Sequence, residues 1–178
     1  GQSKRLKSEN KLIKLYKKIP LINYSLKVLQ KSKVNKIIIV LGHQNKEVKK
    51  VIKTNRKNIF VYNKDYKKGM ASSIKVGLKK VSRNDKGFIV VQSDMPFIKV
   101  SDINKIYNSL KLKKYLVSAL KFKNRIGNPI GFDISIMKKF RNIKGKFGAK
   151  FMVKRLKNRT RFIKISSAKS FKDFDKAS

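Results

Sequence analysis

Asp94 follows a largely apolar run, GFIVVQS at residues 87–93, and Arg5 and Lys11 follow a small polar loop made of Gly1, Gln2 and Ser3. A carboxylate that closes a buried strand either caps the helix after it or holds a cation. A loop of small residues lets backbone N–H groups meet phosphate oxygens while nearby cations offset the charge; a polar, basic segment of this kind equally suits a frayed terminus. The chain has no cysteine and a single histidine, His43, which removes disulfides, thiolate zinc sites, cysteine nucleophiles and multi-histidine metal clusters together. Any hard-cation site must draw on nine acids: Glu9, Glu47, Asp65, Asp85, Asp94, Asp102, Asp133, Asp173 and Asp175. A lone histidine with no paired serine motif is expected to be a loop residue rather than a catalyst.

These groups need elements to position them. Residues 36–41 (KIIIVL) and 87–91 (GFIVV) are nearly continuous β-branched runs, the pattern of strands covered on both faces. Weaker strand patterns occupy 58–62 and 115–120, and helical spacing of apolar residues falls at 20–32, 46–54, 72–81 and 101–110. Alternating strand and helix predicts βαβ units in a three-layer α/β/α sandwich with a mostly parallel sheet. Ligands in such sheets sit at the carboxyl ends of the strands, so the residues after each strand matter most: Gly42-His43, Asn63 onward, and Ser93 to Pro96. One domain over residues 1–178 is expected, and the lysine-rich stretch 154–176 is expected to be partly mobile.

The formal net charge is +39, and only eight of the 48 basic residues are arginine. A dense positive field attracts polyanions, which keeps a charge-driven, nonspecific nucleic-acid-binding protein as an alternative. Base-reading surfaces favour arginine, however, and these lysines are spread along the whole chain as solvated faces would be. No specific nucleic acid is expected as a partner. No apolar run approaches the roughly 20 residues of a membrane-spanning helix, so no membrane partner is expected either. The absence of a leader of the secretory kind predicts a cytoplasmic protein.

Several short segments then gain meaning from their order. GQSKRLKSENKL at 1–12, VLGH at 40–43, GMASSIKVGL at 69–78, SDMP at 93–96, GNP at 127–129, GAK at 148–150 and DFD at 173–175 follow one another with the approximate spacing of a single family. The chain resembles the MobA-like NTP transferases and, within them, the molybdenum cofactor cytidylyltransferases, over essentially its whole length. The resemblance implies a Rossmann-like nucleotidyltransferase fold without the strand that usually precedes Gly1. Lys146 and Lys176 depart from the family's spelling, which has an acid before the Gly-Ala-basic segment and Thr-Pro after the last aspartate.

The resemblance also implies roles. Gly1, Gln2, Ser3 and Arg5 would wrap the triphosphate, and Lys11 would neutralise it near the reacting phosphorus. Asp94 would hold Mg²⁺, completed by Asp175, with Asp173 the less favoured of the two. Gly69, Met70 and Ser73 would reach the base and ribose, although Ser72 and Ser73 are also ordinary first-turn residues. Gly127 and Asn128 would face the acceptor substrate, or form a simple turn with Pro129. The expected reaction joins CTP to molybdopterin and releases pyrophosphate, with a client molybdoenzyme as a further partner. GTP as donor, or a sugar phosphate or methylerythritol phosphate as acceptor, are the alternatives within the same fold.

Overall fold

The structure, a computed structural model, describes residues 10–145, 148–172 and 174. Its first described element is a short hairpin, β1 (Leu15–Tyr16) and β2 (Ile19–Pro20), turned by Lys17 and Lys18, both at positive φ. Then come α1 (Leu21–Lys31), β3 (Ile37–Leu41), α2 (Asn45–Val51), β4 (Asn58–Tyr62), α3 (Met70–Leu78), β5 (Gly87–Val90), α4 (Val100–Lys111), β6 (Val117–Phe122), β7 (Arg125–Asp133), α5 (Ala149–Arg155) and β8 (Thr160–Lys164). Tight 3₁₀ segments occupy Tyr66–Lys68, Ile134–Asn142, Lys157–Arg159 and Ala168–Phe171.

β3 and β4 form a parallel ladder, and the other sheet runs in the order β5-β7-β6-β8. In the second sheet β6 and β8 are parallel, while β7 runs antiparallel to both β5 and β6. The α/β architecture is as expected, and β5, β6 and β8 share one direction. The reversed strand β7 enters because only Lys123 and Asn124 separate it from β6, too short a link for a parallel crossover. Among the described residues β3 pairs with β4 alone and β5 with β7 alone.

Helices cover both faces. On one, Ile22 and Leu26 of α1 pack with Ile37 and Ile39 of β3, while Val28 and Leu29 reach Met95, Ile98 and Ile103 together with Ile89 and Val91. On the other, Ala71 and Ile74 of α3 and Met152 and Val153 of α5 pack with Ile130 and Phe132, while Gly77 brings α3 against Val40 of β3. Both α1 and α3 therefore touch both ladders and hold them in one three-layer body. The amphipathic spacing explains the helices: α4 buries Asp102, Ile103, Ile106, Ser109 and Leu110, an i, i+3, i+4 face.

One alternative and one expectation need correction. Gly127-Asn128-Pro129 is not a turn but lies inside β7, with a cis Asn128–Pro129 bond. The ladder to β6 shifts register there, Ala119 pairing with Ile130 and Leu120 with Gly127, so Pro129 falls where no ladder donor is required. The stretch 154–176 is not a loose tail in its described part: β8 pairs with β6, and Phe171 is buried against Ile106, Leu110 and Leu120.

Candidate functional site

The carboxyl ends of β3, β4 and β5 carry a connected set of polar groups. Asn10 and Lys11 join them. Asn10 is 4% exposed, accepts from Leu12 N at 3.1 Å and donates from Nδ2 to the His43 carbonyl after β3 at 3.3 Å. The next residue, Lys11, places Nζ 2.6 Å from Asp94 Oδ2 after β5, with both side chains 17% exposed. Two consecutive residues thus span the ends of two strands that belong to different ladders.

Asp94 is held from both sides. Its carbonyl accepts from Phe174 N at 3.1 Å, and the carbonyl of Ser93 accepts from Ser25 Oγ at 3.2 Å. Its carboxylate opens no helix, since α4 begins after Lys99, whose N–H donates to Asp102 at 3.1 Å. The other described acids have structural tasks. Asp102 also accepts from Ser170 Oγ, Asp85 pairs with Lys36, Asp133 accepts from Ser135 N, and Asp65 pairs with Lys68. Glu47 is exposed in the first turn of α2, where a negative charge suits the helix dipole. Asp94 differs from these in place rather than in having no partner: its carboxylate pairs with Lys11 just beyond the carboxyl end of β5.

Beside it, Gly69 starts α3 at φ 96, a conformation that favours glycine. Met70 is 38% exposed. Ser72 and Ser73 are organised by Asn63, which sequence reasoning noted only by its place after β4. Asn63 is 1% exposed and donates from Nδ2 to Ser72 Oγ at 2.9 Å and Ser73 Oγ at 3.0 Å, while its Oδ1 accepts from Asp65 N. Asn128 donates to Gln92 Oε1 at 2.6 Å, two residues before Asp94, and its own Oδ1 is buried without a partner. No sequence signal singles out Gln92 beyond its position. Gly127 lies flush against the Phe171 ring, which leaves no space for a Cβ. His43 is a loop residue whose ring lies 5.9 Å from that of Tyr66.

Of the groups expected from the sequence, Lys11, Asp94, Gly69, Met70, Ser73, Gly127 and Asn128 all fall on the carboxyl-end side or on the elements that meet it. Gly1, Gln2, Ser3, Arg5, Asp173 and Asp175 lie outside the described residues. Among the described residues no cluster of three or more His, Cys, Asp or Glu side chains could cage a metal. A single partly exposed carboxylate suits a hard cation that brings substrate phosphate oxygens and waters as its other ligands, which is how Mg²⁺ is commonly held. Among the described residues no helix is long and apolar enough to cross a membrane.

Comparison with known proteins places this geometry in context. Residues 1–160 match the model of the MobA-like NTP transferase domain. The bifunctional protein GlmU of Caldicellulosiruptor saccharolyticus is 26% identical over 134 residues, which is 74% of this chain and 28% of that protein; the chain therefore spans less than a third of that relative. The crystal structure of Rv0371c from Mycobacterium tuberculosis H37Rv superposes with a TM-score of 0.81 at 17% identity, covering 93% of this chain and 83% of that one. The same mycobacterial protein in complex with manganese gives 0.73 at 15% identity over 87% and 80%. The 4-diphosphocytidyl-2C-methyl-D-erythritol synthase of Anaerococcus prevotii gives 0.72 at 15% identity over 89% and 82%. At these identities the solved structures speak for the fold.

Proposed function

This chain belongs to the MobA-like NTP transferase family, and from that premise we propose that it is a nucleotidyltransferase joining CTP to the terminal phosphate of molybdopterin. The observation that carries the reading is the meeting of Lys11 with Asp94, a carboxylate that supports no helix or turn among the described residues, at the ends of β3 and β5.

A phosphate oxygen of the acceptor attacks the α-phosphorus of CTP. The bond from that phosphorus to the bridging oxygen breaks, and pyrophosphate leaves with the electron pair. The attacking oxygen is already anionic, so no general base is required. What the protein must supply is alignment of two like-charged phosphates and compensation of their charge. Lys11 and Arg5 offset the triphosphate, and backbone N–H groups of Gly1, Gln2 and Ser3 bind its oxygens. Asp94, with Asp175, would hold Mg²⁺, which when bound would neutralise phosphate charge. Gly69, Met70 and Ser73 hold base and ribose at the start of α3, and Gly127 and Asn128 face the acceptor. The Glu9-Asn10-Lys11-Leu12 and Gly69-Met70-Ala71-Ser72-Ser73 spellings support the molybdopterin branch, which makes a client molybdoenzyme a further partner.

A sugar phosphate or a methylerythritol phosphate as acceptor is the second reading, favoured by the fold shared with the 4-diphosphocytidyl-2C-methyl-D-erythritol synthase of Anaerococcus prevotii. Nonspecific nucleic-acid binding has less support, because exposed lysines such as Lys27, Lys50, Lys105 and Lys154 stand on four different helices rather than in one groove.

The test is pyrophosphate release from each of the four nucleoside triphosphates with Mg²⁺, offered molybdopterin or a hexose 1-phosphate. Release with CTP and molybdopterin alone supports the proposal, and release only with the hexose 1-phosphate moves the acceptor to the second reading. Asp94→Ala is expected to lower the rate roughly 100- to 1,000-fold, the typical cost of one lost electrostatic stabiliser. Normal turnover by that variant overturns the metal assignment.

A further inference from the structure

Lys11 does not point its ammonium at open solvent but rests it on Asp94 Oδ2 at 2.6 Å, in a site where both side chains are 17% exposed. The roots of the pair are fixed. Asn10, buried beside Lys11, ties the loop to His43, and Asp94 is pinned through its own carbonyl by Phe174 and through that of Ser93 by Ser25. The arm between them is a four-carbon lysine stem with freely rotating bonds, so the ammonium can move while both backbones stay in place.

One carboxylate thus faces two cations of different kinds. An ammonium seated on it repels a divalent cation approaching the same group, and in a partly shielded site that repulsion is stronger than in water. We propose that Lys11 competes with the divalent cation for Asp94, so that the metal gains full access only when triphosphate oxygens draw the ammonium away. Lys11 then serves the carboxylate and the triphosphate in turn, and its transfer couples the two binding events. Coupling of this kind is reciprocal: the factor by which nucleotide tightens metal binding equals the factor by which metal tightens nucleotide binding. Chemically, the device keeps the site from holding a bare metal ion without its substrate.

The inference rests on the reading of Asp94 as a metal carboxylate, and a binding measurement separates the two. Mn²⁺ serves as the probe, its free concentration read by electron paramagnetic resonance with the full chain and no nucleotide. Lys11→Met, which keeps most of the side chain's length and removes the charge, is expected to bind Mn²⁺ at least about 5-fold tighter than the unaltered protein, the lower end of common coupling factors. Lys11→Arg keeps the charge and is expected to keep the weak binding. Adding CTP should tighten Mn²⁺ binding several-fold in the unaltered protein and much less in Lys11→Met. If Asp94→Asn loses the Mn²⁺ site while Lys11→Met shows no gain, the competition is overturned and the metal assignment stands. If Asp94→Asn binds Mn²⁺ as the unaltered protein does, both fall.

Discussion

The backbone N–H of Phe174 donates to the carbonyl of Asp94 at 3.1 Å, and the Phe174 ring meets that of Tyr16 edge-on with centroids 5.5 Å apart. Tyr16 also packs on Tyr24 and Phe97. An aromatic cluster centred on Tyr16 of the first hairpin therefore clamps Phe174 onto the residue proposed to hold the metal. Phe174→Ala keeps the backbone donor and removes the ring, costing about 0.5–1.5 kcal/mol of local packing. The expected outcome is a several-fold rise in KM for the metal–nucleotide complex, with a melting temperature close to that of the unaltered protein. An unchanged KM in steady-state pyrophosphate release would remove the clamp from the account.

Gly127 is required by its neighbour rather than by its backbone. A Cβ there collides with the ring of Phe171, which is 4% exposed among Ile106, Leu110 and Leu120. Gly127→Ala is expected to destabilise the fold by about 1–3 kcal/mol, the usual cost of overpacking. In a chain of this size each kcal/mol lowers the melting temperature by about 2–4 °C. Combining it with Phe171→Leu, which vacates part of the space, is expected to recover some of the loss. Thermal melts of the single and double variants decide it, and a double variant less stable than Gly127→Ala alone argues against the collision.

The charge of the chain gives a third outcome to check. Polyanion binding driven by scattered lysines falls steeply with salt, by roughly 10³ to 10⁵ between 50 and 200 mM for six to ten phosphate contacts. A nucleoside triphosphate engages few phosphates and gains from directed contacts. Titrations of CTP with Mg²⁺ and of a single-stranded oligonucleotide over that range are expected to diverge. Equal salt slopes would move the nucleic-acid reading ahead of the nucleotidyltransferase reading.

How far the sequence carried these conclusions depended on the element. β3 and β5 announce themselves because both faces are covered and nearly every side chain is apolar, and β4 falls on the expected residues 58–62. β7 was hidden. Gly, Asn and Pro are depleted in strands, and their presence here depends on Phe171 and on the register shift at Ala119/Leu120, neither of which leaves a local trace. β8, TRFIK, is short and half basic, and its partner is β6 rather than anything nearby. In the site, Asp94 stands out by its place after a buried strand, and Lys11 only by its place in the motif that carries the resemblance. That they touch is a long-range fact, set by how the segment at Asn10 and Lys11 meets the loops after β3 and β5. Asn63 and Gln92 act through side-chain contacts that no spacing encodes.

Asn63 offers the sharpest separation of binding from chemistry. Its amide, 1% exposed, bonds both serine hydroxyls at the start of α3, and its backbone N–H donates to Leu41 O at 2.8 Å, tying the ends of β3 and β4 together. Asn63→Ala leaves that backbone bond, and Ser72 Oγ still reaches the carbonyls of Asp65 and Gly69. The buried amide's bonds to the hydroxyls and to Asp65 N are lost, at about 1–3 kcal/mol of stability. If the start of α3 holds base and ribose equally in the ground and transition states, its loosening raises KM and spares kcat. Asn63→Asp, which turns a donor into an acceptor and brings negative charge toward the phosphates, is expected to raise KM further. A fall in kcat at unchanged KM would instead place this end of α3 against the reacting phosphorus.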